Sequence, residues 1–513
     1  MSLPQLVFYN TLTRKKEPFT PLEPGVVKLY LCGLTVYDEW HLGHALQSIL
    51  FDTLRRYLKR RGFKVIFANN FTDIDDKIIA RAAKEAVDYQ VITERYIRRF
   101  LEDLPKLNIQ PAEIFPRATE HIQEIQDLIS KLIEGGHAYV ADGNVLYSVS
   151  SFAPYGELSG QDPLALTPAD DLPANSARKH AADFALWKAA KPGEPFWESP
   201  WGRGRPGWHI ECSAMVLKQL GKTIDIHGGG LDLIFPHHEN EKAQSEAATG
   251  EPFARVWLHN GLLRLKGEKM SKSLGNTLTV KALLDKYTPN QLRHFVLSSH
   301  YRSPAEFDFK LLEDSGKALE KIQNLLERID AYGKRAMEPG DVPGGALALE
   351  DAIEMGTTRF EAAMADDFNT AGAMGALFEL VGDANRWLQV WDRKPAHPTA
   401  AALLRRAADY LRTGFDSLGF FPLQSVTQMA GVEAPLKALF STLGLHQDMP
   451  AASQGDLVGA FVQMLIETRN AARKNKDFKT SDLIRDELLK MGIELKDSPE
   501  GTRFTYKPKG GVN

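Results

Sequence analysis

The stretch from residue 26 to residue 61 constrains the fold of this chain most. Apolar residues alternate along 26–31, which is typical of a strand, and from residue 42 they recur at helical spacing after a short loop. In an open parallel sheet, ligands bind beyond the carboxyl end of such a strand, where the helix N-terminus favours an anion. The stretch therefore predicts an open α/β sheet with a phosphate group at this edge.

The helix start carries an unusual pair of histidines. The sequence His41-Leu42-Gly43-His44 places two imidazoles three residues apart on one helix face, and Gly43 leaves room for a ligand between them. The glycine spacing of a dinucleotide fingerprint or a P-loop is missing here. We interpret the pair as a phosphate contact; the alternative is a surface helix start with two incidental histidines.

Composition excludes several classes of protein. The 513 residues suggest about three or four domains, and the net charge of −4 gives no global basic field for nucleic acid. Two cysteines fit a reducing compartment, so we expect a cytoplasmic protein. The N-terminal residues have no apolar core typical of a signal peptide, and no apolar run reaches the ~18–20 residues of a membrane span.

A second strand at 63–69 completes a βαβ unit and ends in the polar stretch 70–77. Polar residues at a strand's carboxyl end suggest a wall of the site, although Thr72 or Asp73 could equally cap the next helix. The fold class we predict is α/β, with a Rossmann-like parallel-sheet domain split by an insertion, an α-helical bundle and a small α+β C-terminal domain. The predicted segments are 1–114 (first half of the catalytic domain), 115–200 (connective insertion), 201–310 (second half), 311–420 (bundle), 421–456 (linker) and 457–513 (C-terminal domain).

The second half of the sheet offers groups for a nucleoside. Three consecutive glycines at 228–230 let the backbone approach a flat ligand, and Asp232 can accept hydrogen bonds from ribose hydroxyls. His237 and Glu241 follow at i and i+4, so they face the same way if a helix begins near Pro236.

Four side chains could hold a metal ion. They are Cys32, Cys212, His237 and Glu241, and a set of thiolate, imidazole and carboxylate ligands suits Zn²⁺. The cysteines show no close metal-binding spacing. The alternative is two small buried cysteines beside a solvated helix start.

Lysines are concentrated in two further segments. The loop at 266–276 contains Lys269 and Lys272, which could neutralise departing phosphates if the loop acts as a lid; most such loops are simply solvated. Near the C-terminus a basic cluster could contact an RNA backbone, or it could be a solvated face. Its members are Arg469, Arg473, Lys474, Lys476 and Lys479, and we expect Thr480 or Ser481 to cap the helix that follows.

In combination these motifs resemble a known family. His41–His44 together with Lys269–Ser273 resembles the paired signature of class I aminoacyl-tRNA synthetases. Four further stretches, 30–38, 72–77, 207–215 and 227–241, closely resemble the cysteinyl-tRNA synthetase family, and the likeness spans essentially the whole chain. Leu42 stands where isoleucine is usual, which is a conservative change.

The resemblance implies a role for each candidate residue. It implies Zn²⁺ held by Cys32, Cys212, His237 and Glu241. It implies cysteine substrate contacts from Gly33, Thr72, Trp208 and His237. It implies ATP contacts from Thr35, His41, His44, Gly230, Asp232 and Lys272, with Mg²⁺ accompanying ATP, and catalytic roles for His41, His44, Lys269 and Lys272.

The implied reaction joins L-cysteine to tRNA(Cys) through cysteinyl-adenylate, in a protein we expect to be a monomer. A metal bond would separate cysteine from serine, which a simple pocket rejects poorly. One alternative is a ligase acting on an amino-sugar inositol, but those relatives lack the tail domain. The others are a non-catalytic RNA-binding paralogue, which should have lost a signature motif, and a purely structural zinc protein.

Overall fold

The computed structural model describes residues 3–162, 165, 178–265, 268–269, 278–423, 433–443, 457–475, 477–498 and 501–506. The first part of the chain forms a hairpin, the first half of a parallel sheet and the helices that pack on it. Its elements are β1 (Val7–Asn10), β2 (Lys15–Pro18), β3 (Val26–Thr35), α1 (Leu42–Arg60), β4 (Lys64–Thr72), α2 (Asp76–Glu85), α3 (Tyr89–Asp103) and α4 (Ile122–Glu134).

The insertion forms an antiparallel sheet whose apolar core also includes α4 and residues of the helices that follow the sheet. Its strands are β5 (Ala138–Ala141), β6 (Asn144–Tyr147), β7 (Phe184–Ala189) and β8 (Gly204–Pro206), paired in that order. The last strand lies beyond residue 200, where we predict the insertion to end. The sheet therefore reaches directly to the start of the next helix.

After the insertion the chain returns to the parallel sheet. Its elements are α5 (Trp208–Gln219), β9 (Ile224–Gly230), α6 (Glu239–Thr249), β10 (Ala254–Asn260), β11 (Leu263–Leu265), β12 (Glu268–Lys269), α7 (Val280–Leu284), α8 (Pro289–Leu297) and β13 (Ala305–Phe307). The neighbouring strands β10 and β11 lie in different sheets.

The strand order β10-β9-β3-β4 creates the site. All pairings in this sheet are parallel, and β3 lies between β4 on one side and β9 on the other. The connections through α1 and α6 lead to opposite edges, so the gap between the carboxyl ends of β3 and β9 is a topological switch point. The predicted Rossmann-like parallel sheet is confirmed.

Helices dominate the rest of the chain. The bundle consists of α9 (Phe309–Gly333), α10 (Ala346–Ala365), α11 (Thr370–Trp391) and α12 (Pro398–Ser417). It shares one continuous hydrophobic core with α1 and the sheet. Between them, the buried Arg293 of α8 donates to Asp52 of α1 at 3.0 Å and to the Leu418 carbonyl oxygen at 3.1 Å.

The C-terminal unit has a separate core. It consists of α13 (Glu433–Thr442), α14 (Leu457–Lys474), α15 (Phe478–Lys490), β14 (Ile493–Ser498) and β15 (Gly501–Tyr506). The cap expected at Thr480 or Ser481 is wrong. The helix begins earlier, and the Asp477 side chain accepts the Thr480 N–H at 3.1 Å.

Two members of the predicted basic cluster are engaged inside this unit. Arg469 is buried, and its guanidinium donates both to Asp497 Oδ1 at 2.9 Å and to Oδ2 at 3.0 Å. Arg473 donates to the same carboxylate at 2.8 Å. These arginines fasten α14 to β14, so an RNA backbone would have to be held by other cations.

Candidate metal and active site

The site begins where β3 and β4 come unusually close. The Gly33 N–H donates to Asn70 Oδ1 at 2.8 Å, and a Cβ atom on Gly33 would lie 1.6 Å from the Asn70 carbonyl oxygen. No side chain fits in that space, so glycine is required there. The close approach fixes Cys32, the preceding residue, at the end of the sheet.

The structure brings the four predicted metal ligands together. Cys32 Sγ lies 3.9 Å from Cys212 Sγ and 3.2 Å from Glu241 Oε1, and His237 Nε2 lies 3.0 Å from the same oxygen. One donor atom from each side chain lies within 4.8 Å of every other, and all four residues are buried. They come from β3, α5, the turn before α6 and α6 itself.

The turn before α6 aligns two of these ligands. Residues 234–238 form one wide helical turn interrupted at Phe235, whose backbone is extended. The chain then continues as α6, so His237 and Glu241 lie one turn apart on the same face, as the i, i+4 spacing predicts.

Burial and neighbouring charge set the protonation of the site. Burial raises the pKa of the Cys32 thiol well above its usual value, and its contact with Cys212 adds to the rise. Although burial opposes ionisation, the hydrogen bond from Cys32 helps lower the pKa of Cys212 to about 6. Likewise, the Glu241 carboxylate overcomes burial and raises the pKa of His237 to about 10.

The carboxylate at the centre of the site is held by two imidazoles. Burial alone would raise the pKa of Glu241, but His227 and His237 hold it well below the usual range. His227 Nε2 lies 2.9 Å from Glu241 Oε2. His227 was not among the residues we predict for the site, although it is the last residue before the three glycines of β9.

The ring of His209 contacts the candidate ligand His237. His209 Nδ1 lies 2.9 Å from His237 Nδ1, and burial lowers the pKa of His209 well below its usual value. A neutral ring here can orient a metal-binding imidazole through its second nitrogen. Sequence reasoning also missed this residue; its position three residues before Cys212 on α5 was the available signal.

A second group of four donors overlaps the first. Cys32, His227, His238 and Glu241 also offer one atom each within 4.8 Å. The two groups share a thiol and the carboxylate. The predicted group contains two thiols and suits Zn²⁺ better than a set with one.

Trp208, which is predicted to line the amino-acid pocket, lies beside the candidate ligand His237. The two rings stack with centroids 4.3 Å apart, and 39% of Trp208 is exposed. Thr72, at the end of β4, donates its hydroxyl to Glu211 Oε2 at 3.0 Å. Glu211 is buried, burial raises its pKa well above the usual value, and sequence reasoning did not select it.

The polar stretch after β4 separates into distinct roles. Thr72 contacts Glu211, and Asp73 accepts from the N–H and hydroxyl of Thr119 at 3.0 and 2.6 Å. The cap of the following helix is Asp75, which accepts the Lys77 N–H at 2.9 Å. Neither Thr72 nor Asp73 caps that helix, so the capping alternative is wrong for both.

The paired histidines lie at the start of α1. The rings of His41 and His44 stack with centroids 3.7 Å apart and an angle of 15° between their planes. His44 also lines a small cavity with Thr35 at the end of β3. The adjacent imidazoles therefore form one face beside the carboxyl edge of the sheet.

On the other side of the switch point lie Gly230 and Asp232. Gly230 ends β9, and a Cβ atom placed on it would lie 2.6 Å from Asp232 Oδ1. The carboxylate thus turns back over the glycine backbone at the end of the strand.

The residues directly after the lysine loop contact the start of the histidine signature. His41 forms an antiparallel bridge with Thr279, and the Leu42 N–H donates to the Leu278 carbonyl oxygen at 2.9 Å. The backbone of Lys269 lies in β12, whereas Lys272 lies outside the described residues. The described residues that follow the lysine-bearing signature therefore contact the histidine signature through the backbone.

Comparison with known families identifies two matching regions. Residues 18–317 match the family of tRNA synthetases class I (C) catalytic domain, and residues 359–422 match the DALR domain. The first match covers the split sheet and the insertion. The second covers most of the bundle.

Curated relatives match along nearly the whole chain. A cysteine–tRNA ligase of Sulfurihydrogenibium sp. is 46% identical over 508 residues, covering 97% of this chain and 99% of the relative. Those of Pelobacter propionicus and Aquifex aeolicus are 45% and 44% identical, covering 98% and 97% of this chain and 100% and 98% of the relatives. The inositol-ligase alternative is not supported by these matches.

Solved structures share the fold at low identity. A Mycobacterium tuberculosis methionyl-tRNA synthetase in complex with methionyl-adenylate is 18% identical with a TM-score of 0.59, covering 85% of this chain and 96% of that one. A leucyl-tRNA synthetase from Agrobacterium radiobacter is 11% identical with a TM-score of 0.58, covering 78% of this chain and 85% of that one. The family resemblance seen in the motifs is confirmed: this chain belongs to the cysteine–tRNA ligase family of class I tRNA synthetases.

Proposed function

We propose that this ligase selects its L-cysteine substrate through one Zn²⁺ ion held by Cys32, Cys212, His237 and Glu241. The observation that carries the proposal is the convergence of these donor atoms, all within 4.8 Å of one another in a buried site. Two thiols, an imidazole and a carboxylate are a ligand set that Zn²⁺ accepts. The location at the switch point of the sheet, where ligands bind in such folds, and the partly exposed Trp208 support a substrate site here.

The ion would supply the discrimination between sulfur and oxygen. Bound zinc lowers the pKa of a coordinated thiol and binds the thiolate, whereas a serine hydroxyl stays protonated and ligates poorly. Around it, His209 would fix the ring of His237, and His227 would fix the carboxylate of Glu241. The indole of Trp208, stacked on His237, would form one wall of the substrate pocket, with Gly33 and Thr72 opposite.

The chemistry of activation needs no covalent nucleophile from the protein. The substrate carboxylate attacks the α-phosphorus of ATP, which gives cysteinyl-adenylate and pyrophosphate, and a ribose hydroxyl at the tRNA end then takes the acyl group. Positioning and charge stabilisation supply the rate. His41 and His44, stacked at the start of α1, would hold the phosphates.

The remaining contacts would complete the nucleotide site. Lys269 and Lys272 would neutralise the departing pyrophosphate, with Mg²⁺ accompanying ATP. Thr35, Gly230 and Asp232 would hold the nucleoside, which is supported by their positions at the carboxyl ends of β3 and β9.

We assign tRNA(Cys) binding to the bundle and the C-terminal unit, with that unit nearest the anticodon. The DALR-domain match in the bundle supports this assignment. The same family membership supports a cytoplasmic location, and we propose that the chain acts as a monomer. In the described part of the chain, every helix is too short or too polar to cross a membrane.

A serine substitution tests the metal proposal. Cys212→Ser replaces one thiol with a hydroxyl of similar size, so we expect a folded protein that loses zinc by elemental analysis. Cysteine-dependent ATP–pyrophosphate exchange should fall by at least about a hundredfold, because hydroxyl is a poor zinc ligand. Met215→Leu, which is buried one turn further along α5, serves as the matched control and should retain zinc and activity.

The outcome separates a catalytic metal from a structural one. If Cys212→Ser keeps one zinc per chain and normal exchange, the ligand assignment is wrong. If it loses zinc yet still exchanges at the rate of the unmodified protein, zinc plays no part in selecting cysteine.

A further inference from the structure

The loop between α10 and α11 has a strained backbone that packing holds in place. Asp367 and Phe368 have φ values of 58° and 50°, in the left-handed region that side-chain-bearing residues rarely adopt. Both residues are buried, and the next residue, Asn369, caps α11 by accepting the Gly372 N–H at 2.9 Å. Such conformations persist where surrounding contacts over-determine them, and they often mark functional positions.

The Asp367 carboxylate joins three separate parts of the chain. Its Oδ1 accepts the backbone N–H of Tyr9 at 2.8 Å and the hydroxyl of Tyr301 at 2.9 Å. Its Oδ2 accepts from Arg302 Nε and Nη2, each at 2.8 Å. The bundle loop is therefore hydrogen-bonded both to the N-terminal hairpin and to the segment 300–302. The bonds to Arg302 are charge-assisted and so are among the stronger ones.

The segment 300–302 leads directly into β13, an outer strand of the small sheet whose other outer strand, β12, carries the signature lysine. The Tyr301 carbonyl oxygen accepts the Gly261 N–H at 2.8 Å, just before β11. Then β13 pairs with β11 in parallel, and β11 pairs with β12 in antiparallel fashion. Arg264 in the middle strand faces Glu306 on one side and Lys269 on the other.

The contact between these segments leaves little freedom. A Cβ atom on Gly261 would lie 2.0 Å from the Ser303 carbonyl oxygen, so the two backbones are packed as closely as glycine allows. The Arg302 guanidinium also lies over the Tyr9 ring, 4.4 Å from its centroid. A continuous series of contacts therefore connects the Asp367 loop with the small sheet β12-β11-β13.

From these contacts we infer that Asp367 is a positioning residue for the lysine-bearing strand β12. The assignment rests on the proposed role of Lys269 and Lys272 in stabilising the departing pyrophosphate. The Asp367 carboxylate is held by Tyr9, Tyr301 and Arg302, none of which is among the residues proposed for the cysteine or ATP site. It fixes Tyr301 and Arg302, and through β13 and β11 it sets where the backbone of Lys269 stands.

Asp367→Asn tests the assignment, because an amide offers only one acceptor oxygen. Either the Tyr9 and Tyr301 donors or the Arg302 fork must then face an NH₂ group. We expect kcat for cysteine-dependent ATP–pyrophosphate exchange to fall about tenfold or more, with KM for cysteine changed less than about twofold. Single-turnover transfer of cysteine from preformed adenylate to tRNA should change less than about twofold, because pyrophosphate has already left.

Two further variants make the test specific. Asp366→Asn alters the neighbouring carboxylate, which is exposed and forms an ion pair with the exposed Lys16, and it should leave both steps unchanged. Arg302→Gln removes the other partner of the same ion pair, which is partly exposed, and should reproduce the selective loss of exchange. All variants are assayed at a temperature at which circular dichroism shows them folded.

Each outcome decides the assignment. Equal loss in both steps, or normal exchange in folded Asp367→Asn or Arg302→Gln, would overturn it and leave Asp367 a purely structural residue. An unmodified chain that shows no cysteine-dependent exchange would overturn the proposed function, and the assignment with it.

Discussion

The number of protons released when zinc binds to the metal-free chain tests the proposed ligands and their protonation states. Burial raises the pKa of Cys32 well above its usual value, so this thiol keeps its proton at pH 8. Against the effect of burial, Glu241 raises the pKa of His237 to about 10, so this ring is an imidazolium. Cys212, with a pKa of about 6, and Glu241, with a pKa far below its usual value, have already lost theirs.

Zinc binds thiolate and neutral imidazole, so Cys32 and His237 must each lose one proton when the ion binds. We therefore expect release of about two protons per zinc at pH 8. Because the metal competes with protons, its affinity should rise with pH, by about a hundredfold per pH unit near pH 8. Below pH 6, Cys212 adds a third proton, and above pH 10 His237 no longer contributes one.

Calorimetry measures this count directly. The chelator-treated chain is titrated with zinc in buffers of different ionisation enthalpy, and the slope of the observed heat against that enthalpy gives the number of protons released. A slope near two supports the protonation states derived from the structure. A slope near zero, or near four, would refute them, because the ligands would then be already deprotonated or fully protonated.

Three further predictions concern the scaffold. Arg293→Met should cost about 3 kcal/mol in urea unfolding, the low end for a broken buried ion pair, because a second arginine still pairs with Asp52. Gly33→Ala should abolish soluble expression or zinc binding, because its methyl group would overlap the Asn70 carbonyl oxygen. Hydrogen bonds from arginine side chains hold the pKa of Asp497 well below its usual value. The stability that this carboxylate gives the C-terminal unit is therefore present above pH ~4 and is lost as the pH falls further. Limited trypsin digestion should show that Asp497→Asn loosens this unit at neutral pH.

Matched controls distinguish these effects from general fragility. Lys16→Met breaks an exposed ion pair and should change the free energy of unfolding by less than about 1 kcal/mol. Gly340→Ala meets no atom within 4 Å and should express normally. Asp482→Asn removes an exposed carboxylate of α15 and should leave trypsin sensitivity unchanged. If a control matches its test variant, the specific contact is not the cause.

Local sequence patterns predicted the elements that local forces determine. Alternation in 26–31 predicted β3, helical spacing predicted α1, and the i, i+4 spacing of His237 and Glu241 predicted their common face. The switch point followed because parallel strands bring their carboxyl ends to one edge. The four candidate ligands, by contrast, could be grouped only by residue type and by the family resemblance, because no local spacing connects Cys32 with Cys212.

Contacts made by distant segments could not be predicted in this way. His227 and His209 support the ligands only because β9 and α5 bring them beside Glu241 and His237. The sequence pattern predicts the wrong cap for α15 because several residues that can cap a helix follow one another. The helix begins at Phe478, so Asp477 is the residue that caps it. A buried arginine pair likewise appears in sequence as a surface charge, as it did for Arg469.

The most direct test of the central claim is cysteine-dependent ATP–pyrophosphate exchange before and after zinc is removed. We predict that the chelator-treated chain, shown by elemental analysis to be free of zinc, loses exchange and regains it when one equivalent of zinc is returned. Full exchange by the zinc-free chain would show that cysteine is recognised without a metal bond, and would contradict the account.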